Sequence, residues 1–514
     1  MTPAFRVEIF THYFCVSRFD RTVKTILMDY AKEFAEYDSV YNRRSGRMQQ
    51  VVKRMFAAST DNRQEMRFHI FALEEFYEHF KRSGYKKESM DIITHLTPVP
   101  VSCELPLMPS WKPYDYQIPI IERGTHLNEV VQGLVMAGGL GKTSVALAIA
   151  SRLGVRLVIV LRGMYVDRWE LALIEHTRVL DIAKEDYMIT RGAKDMIAMI
   201  KAAKAGELTE KVIIITNMTM HAFLKHYELF PTDRKLYGCL PHELYSVLGA
   251  GFRIIDEVHQ DFHMNFRQDL YTHIQKSLSL SGSLKKSSSF INRMYEIAIP
   301  RRHRIGDVRK KPYCSATALF FQLDKQSKDK IRYLSARNQY SHNEFESSIL
   351  KDKKLLFKYL DMIRTCWDTF FIERYEEGMK GMLFAGRVEM CDEIVETFRK
   401  EYPHLKTMRY TADDEYENLL EADIIVSTLL SAGTAVDIKD LRTVFMTTAV
   451  GSIDQNIQAF WRIRELKRYP NTVPDFIYFV CGDIPQHVEY HRIKLEEFNG
   501  YALSHKVAYV GLKL

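Results

Sequence analysis

The chain has 514 residues, 46% hydrophobic and 27% charged, with a formal net charge of +7. That length exceeds one ordinary core, so about two to four domains are expected, and no run approaches the roughly 18 uninterrupted apolar residues of a membrane-spanning helix. Seven scattered cysteines without a CxxC pair argue for free thiols in a reducing compartment and against a cysteine-based zinc site.

Residues 1–95 mix alternating stretches such as RVEIFTHYF with the helical HIFALEEFYEHFKRSG and carry no catalytic signature. They read as a small α+β domain. The start, MTPAFRVEIF, lacks the charged-then-apolar order of a cleavable signal. A basic group within it, Arg43, Arg44, Arg47, Lys53 and Arg54, suits either a phosphate backbone or a solvated face. Residues 96–110 hold Pro98, Pro100, Pro106 and Pro109, a composition that resists helix and sheet and marks a linker.

From 111 to 335 short apolar runs alternate with amphipathic stretches: GLVMA (133–137), RLVIVL (156–161), KVIIIT (211–216), FRIID (252–256) and SLSLSGS (277–283). Such runs predict buried parallel strands joined by helices. The segment MAGGLGKTS (136–144) offers Gly139 and Gly141 for a loop whose amides wrap a phosphate, Lys142 to reach β/γ-phosphates and Thr143 to hold Mg²⁺. TSVALAIASRL then has helical spacing, which puts a helix N-terminus behind the phosphates. In FRIIDEVH (252–259) an apolar strand delivers Asp256 toward that cation and Glu257 as a base for water, while His259 reads as a link to a neighbouring segment. Upstream, Tyr116 and Gln117 in WKPYDYQ combine a ring that can stack on adenine with an amide that can pair with its edge, or else merely pack. These features predict an ATP-hydrolysing site that uses Mg²⁺.

The run RRHRIGDVRKK (301–311) gives a second basic cluster, with Arg301 and Arg302 as candidates for a phosphate backbone. CSATALFF (314–321) reads as a buried strand. Residues 336–514 repeat the alternating pattern in GMLFA (381–385), ADIIVST (422–428), LRTVFMTT (441–448) and DFIYFVC (475–481), without a second phosphate loop.

Taken in order, Tyr116-Gln117, GLGKT, DEVH, LSLSGSLKK, FAGR, VSTLLSAGTAVDI and QAFWRIR make the chain similar to superfamily 2 helicases, and within them to the UvsW-type recombination helicases of tailed bacteriophages. The resemblance implies two tandem RecA-like domains, parallel sheets flanked by helices, at 111–335 and 336–514, behind the accessory domain at 1–95. It implies that Lys142, Thr143, Asp256 and Glu257 handle ATP and Mg²⁺, that Gln458 contributes to nucleotide binding, and that Arg462 acts as an arginine finger. The final motif carries Trp461 and Glu465 where Gly and Arg are usual, and Arg464, one residue early, is the candidate substitute. Ser281 and Ser283, with His259, would couple hydrolysis to movement. Thr216, Thr428 and Gly433 would touch the nucleic-acid backbone, Arg162 is a further such candidate, and Asp437 fits an acidic position after that glycine.

The activity implied is an ATP-dependent DNA helicase or translocase on single-stranded, forked or branched DNA and on RNA–DNA hybrids, in branch migration, recombination, repair and replication. The expected setting is the cytoplasm of an infected bacterium, with no membrane partner. No heptad seam suggests a coiled-coil dimer, so a monomer is expected. An RNA-directed ATPase and a non-hydrolysing nucleic-acid clamp are the alternatives; a nuclease would need a carboxylate cluster not found in the sequence.

Overall fold

A computed structural model describes residues 4–42, 47–59, 65–174, 178–286, 288–306, 312–336, 338–411, 414, 416–429, 438–466 and 468–514. The chain divides into two compact units, Met1–Val308 and Arg309–Leu514.

The first unit opens with strands β1 (Phe5–Ile9), β2 (Tyr13–Ser17), β3 (Ala35–Asn42), β4 (Arg47–Arg54), β5 (Ala57–Ala58), β6 (Met66–His69) and β7 (Met90–Thr94). Five of them form a mixed sheet in the order β5-β6-β2-β1-β7, and β3 and β4 make a separate hairpin. The helix Arg21–Lys32 buries Val23, Leu27, Tyr30 and Ala31, a helical stripe, and Asp20 caps it by accepting from the Val23 amide. With Phe76, Tyr77 and Phe80 of the helix Leu73–Arg82 it covers one face of the sheet, which matches the α+β expectation.

Seven parallel strands follow: β8 (Val131–Val135), β9 (Arg156–Leu161), β10 (Tyr187–Thr190), β11 (Val212–Thr216), β12 (Ala250–Ile255), β13 (Lys276–Ser281) and β14 (Arg304–Ile305), in the order β10-β11-β9-β12-β13-β8-β14. Every residue of β9, β11 and β12 is buried, as strands covered on both faces by crossover helices must be. The second unit repeats the architecture with β15 (Cys314–Gln322), β16 (Lys380–Ala385), β17 (Thr407–Tyr410), β18 (Ile424–Thr428), β19 (Leu441–Met446), β20 (Asp475–Cys481) and β21 (Ala502–Lys513), ordered β17-β18-β16-β19-β20-β15-β21 and also parallel. Two RecA-like α/β domains behind a small α+β domain are thus the observed fold.

One boundary differs from expectation. The strand CSATALFFQ lies within the expected first RecA-like domain (111–335), yet it pairs with β20 and β21 in the second sheet. Its composition announces a buried strand, but only pairing with distant segments decides which sheet it joins. The proline-rich 96–110 segment is also no free tether. Val101 donates to Gly249 O at 2.8 Å, Cys103 to Gly154 O at 2.9 Å and Met108 to Val179 O at 2.8 Å, while Leu105 is buried. Proline removes some backbone donors, and three of the remaining ones are satisfied along the edge of the first RecA-like domain.

The accessory domain is joined to that domain through buried polar groups. Thr11 donates from its amide to His273 Nδ1 at 3.3 Å, and its hydroxyl accepts from the Ile274 amide at 3.0 Å. Arg253, on β12 and fully buried, donates to Ser277 Oγ, to Thr272 Oγ1 at 2.8 Å and to Asp269, whose other carboxylate oxygen lies 3.7 Å from His69 Nε2 of the accessory sheet.

Candidate functional site

The phosphate-type loop leaves β8 and enters the helix Lys142–Leu153. Gly139 and Gly141 hold φ of +78° and +81°, left-handed conformations that side chains resist. At Gly141 an added Cβ would also stand 2.7 Å from Gln117 Nε2. Lys142 Nζ lies across the loop, 3.2 Å from Met136 O, and Thr143 is the second residue of the helix.

Gln117 is tied to the loop. It is buried, its Nε2 donates to Leu140 O at 3.0 Å, and its Oε1 accepts from the Tyr114 amide at 3.0 Å. One end of the amide therefore braces the loop while the other holds the turn at Tyr114, and the Tyr116 hydroxyl donates to the same Leu140 carbonyl at 3.2 Å. The spacing of a Gln before the loop does not reveal this, because a glutamine that holds a loop and one that reads a base look alike in sequence. Tyr114, not singled out by sequence, stacks on Tyr116 with centroids 5.6 Å apart and planes 6° from parallel, and is itself exposed.

The acidic pair sits two strands away, at the end of β12, and β13 lies between β12 and β8. Its backbone ties both edges of the site: Ser281 O accepts from the Met136 amide at 3.1 Å and Leu280 O from the Val258 amide at 3.0 Å. Asp256 is buried; burial, then the adjacent Glu257 charge, raises its pKa above the usual carboxylate range. Its Oδ2 accepts from Trp169 Nε1 at 2.7 Å and its Oδ1 from the Glu257 amide at 3.0 Å. A buried carboxylate supplies hard oxygen donors and has the chemistry of a Mg²⁺ ligand shared with phosphate oxygens. Glu257 has φ of +44°, an uncommon value for a non-glycine residue and one that concentrates at functional sites.

His259 is buried, and burial followed by the charges of Lys286 and Lys142 lowers its pKa to about 3. Its Nδ1 stands 3.3 Å from Glu257 Oε2 and 3.0 Å from Ser281 Oγ. Burial keeps the imidazole from charging, so the approach to Glu257 is a polar contact and not a full ion pair, and the ring's hydrogen bond is the one to Ser281. Ser281 Oγ donates to Ser283 O at 2.5 Å and accepts from the Ser283 amide at 3.2 Å. A continuous polar chain therefore runs Glu257, His259, Ser281, Ser283.

Other expected residues are placed less favourably. Thr216 is buried and caps the helix Asn217–Leu229, its hydroxyl 2.8 Å from Thr219 Oγ1. Arg162 is committed to Asp261 by two bonds of 2.7 and 2.6 Å, and Asn217 adds a third to Asp261 at 3.2 Å. Both side chains are thus engaged locally in this structure; sequence position fixes a strand end but not where its side chain is used. Arg301 and Arg302 are exposed in a turn, with Arg301 Nε 3.3 Å from Glu296. Arg43, Arg44, Arg309, Lys310, Lys311, Gly433 and Asp437 lie outside the described residues.

In the second unit Thr428 ends β18 and is buried. Gln458 lies half-buried in the helix Ile453–Phe460, with Arg462 buried in the turn that follows. Arg464 donates from Nη1 to Trp461 O and to Ile463 O at 3.1 Å, bonds that close that turn. Both predicted arginines are thus built into one local structure after the helix.

No family model matches the sequence, and no curated protein does. Among solved structures, the chain is similar to a fragment of a putative HsdR subunit of a type I restriction enzyme from Vibrio vulnificus YJ016, at 13% identity, over 95% of this chain and 82% of that one, with a TM-score of 0.47.

Proposed function

We propose that this chain is an ATP-driven DNA translocase of helicase superfamily 2 that remodels forked or branched DNA, in the manner of the phage recombination helicases its motifs resemble. The observation that carries the reading is the placement of β13 between the loop-bearing and acid-bearing strands, which brings Ser281 against both. In that frame the amides of the loop and Lys142 take the triphosphate, Thr143 and Asp256 hold Mg²⁺, and Glu257 accepts the proton of the attacking water. When bound, the cation neutralises charge on the β- and γ-phosphates. Tyr114, exposed and stacked on Tyr116, offers the ring face for adenine that Gln117 does not complement. Arg462 enters the reading from the motif resemblance, as the residue that adds charge to the γ-phosphate.

A grip on phosphates predicts little sequence preference and strong salt dependence. The test is phosphate release from ATP with single strands, forks, four-way junctions, RNA–DNA hybrids and RNA duplexes, followed by strand displacement on whichever stimulates most. Glu257→Gln should keep nucleotide binding and lose about 10²–10⁴-fold in kcat. Release no faster in the wild type than in Glu257→Gln on every substrate overturns the reading, and stimulation by RNA duplex alone replaces DNA with RNA.

A further inference from the structure

We propose that Trp169 is a positioning residue for Asp256: its indole N–H fixes the carboxylate in the orientation from which Asp256 reaches nucleotide-bound Mg²⁺. The inference rests on the ATPase reading of the site. Trp169 lies on the helix Val166–Ile174 and is fully buried on the same face as Val166 and Leu173. An indole has one donor and no acceptor, and here that donor is spent on Asp256 Oδ2 at 2.7 Å.

The terminal torsion of an aspartate is broad, so an unrestrained carboxylate samples many orientations. Two donors restrain this one, the indole on Oδ2 and the Glu257 amide on Oδ1 at 3.0 Å. Each oxygen keeps lone-pair capacity for a further partner, because a carboxylate offers about four acceptor sites. Rotation of the group would break both bonds together. Partners of this kind around a metal-ligating carboxylate set its orientation and basicity.

The pairing is not what every buried tryptophan in this chain does. Trp367 and Trp461 are also buried, and their indole nitrogens have no hydrogen-bond partner among the described residues. Packing alone therefore does not demand an acceptor here, and the charge-assisted bond at Trp169 is specific to the carboxylate that ends β12.

Trp169→Phe keeps an aromatic ring in the same space and deletes the donor. In the full-length chain, the Mg²⁺ concentration that half-saturates ATP hydrolysis should rise about tenfold or more, with KM for ATP at saturating Mg²⁺ changed less than about twofold. A second readout needs no turnover: of the four tryptophan indole ¹⁵N–H resonances, the one lost in Trp169→Phe should move in Asp256→Ala and on adding Mg²⁺ with ADP. Should Trp169→Phe not fold, the wild type and Asp256→Ala still decide, since one of the four resonances must move. An active wild type with an unchanged Mg²⁺ requirement in folded Trp169→Phe overturns the inference, as do four indole resonances indifferent to Asp256→Ala. A wild type that hydrolyses no ATP overturns the functional reading instead.

Discussion

The His259 imidazole and the Ser281 hydroxyl, borne on the loop after β12 and at the end of β13, lie 3.0 Å apart inside the first RecA-like domain. Through Glu257 at 3.3 Å this pair connects the expected base to the segment Ser281–Ser283. Ser281→Ala removes the middle of the chain while leaving the phosphate loop and the acidic pair in place. ATP hydrolysis on DNA is expected to stay within about threefold of wild type, and strand displacement to fall about tenfold or more, because the hydroxyl carries no transition-state charge. Parallel measurement of the two rates on one fork substrate checks the split; equal losses in both would place Ser281 in the chemistry rather than in coupling.

Gly141 and Gln117 make a second, sharper prediction. Gly141→Ala meets two obstacles, a φ of +81° and a Cβ position 2.7 Å from Gln117 Nε2. The conformation alone costs about 1–2 kcal/mol, and relief by moving Gln117 gives up its bond to Leu140 O. Nucleotide affinity should weaken at least about tenfold, equivalent to about 1.4 kcal/mol, measured by equilibrium binding of a fluorescent ATP analogue. Gln117→Ala combined with Gly141→Ala should recover part of the loss, since the steric conflict is gone while the backbone strain remains.

The parts of this molecule legible in its sequence are those whose signal is local. Buried runs such as RLVIVL and KVIIIT announce central strands, and GLGKT announces its loop, because burial and turn chemistry act on neighbours in the chain. Edge strands were harder: β10, β17 and β21 are only partly buried, so their residues mix polar and apolar without a clean run, and β14 is just two residues long. The sheet that claims Cys314–Gln322 is a matter of long-range pairing. Direction was least legible of all. Thr216, Arg162, Gln117 and Arg464 occupy positions that resemble functional ones, and each also makes local bonds that its position in the sequence does not announce. Trp169 and Tyr114 gave no motif signal, because what distinguishes them is a contact with a residue distant or adjacent in space.

The buried Arg253–Asp269 pair should govern how firmly the accessory domain is held to the first RecA-like domain. Arg253→Met leaves Asp269 without its main counter-charge in a dry site, and breaking such a pair from one side costs about 3–5 kcal/mol. Chemical denaturation should report that loss, and limited proteolysis should open the 96–110 segment. Arg253→Met with Asp269→Asn should be less damaging than the sum of the two single changes, since the second removes the orphaned charge. Additive losses would mean that the two side chains do not act as a pair.

Acid sensitivity follows from histidines that are buried neutral. His259 titrates near 3 in the folded chain, lowered first by burial, and His12 is held well below its ordinary value, also chiefly by burial. Both have folded pKa values below the unfolded one of about 6.5. Above that pH neither state takes up the proton and the contribution of these histidines is flat. As pH falls below about 6.5 the unfolded chain protonates and the folded chain resists, so stability declines until the folded value is reached. For His259 alone the loss at pH 4.5 is about 2–3 kcal/mol. Asp269 does not contribute in this window, because the Arg253 charge and the His69 contact outweigh burial and hold its carboxyl below the usual range, where its effect is felt only under about pH 4. The histidine contribution to the urea midpoint should therefore be constant from pH 8 to 7 and drop steadily from about 6.5 to 4.5. In His259→Asn the slope of that drop should be shallower; an unchanged slope would show that this imidazole is already charged, or already wet, in the folded protein.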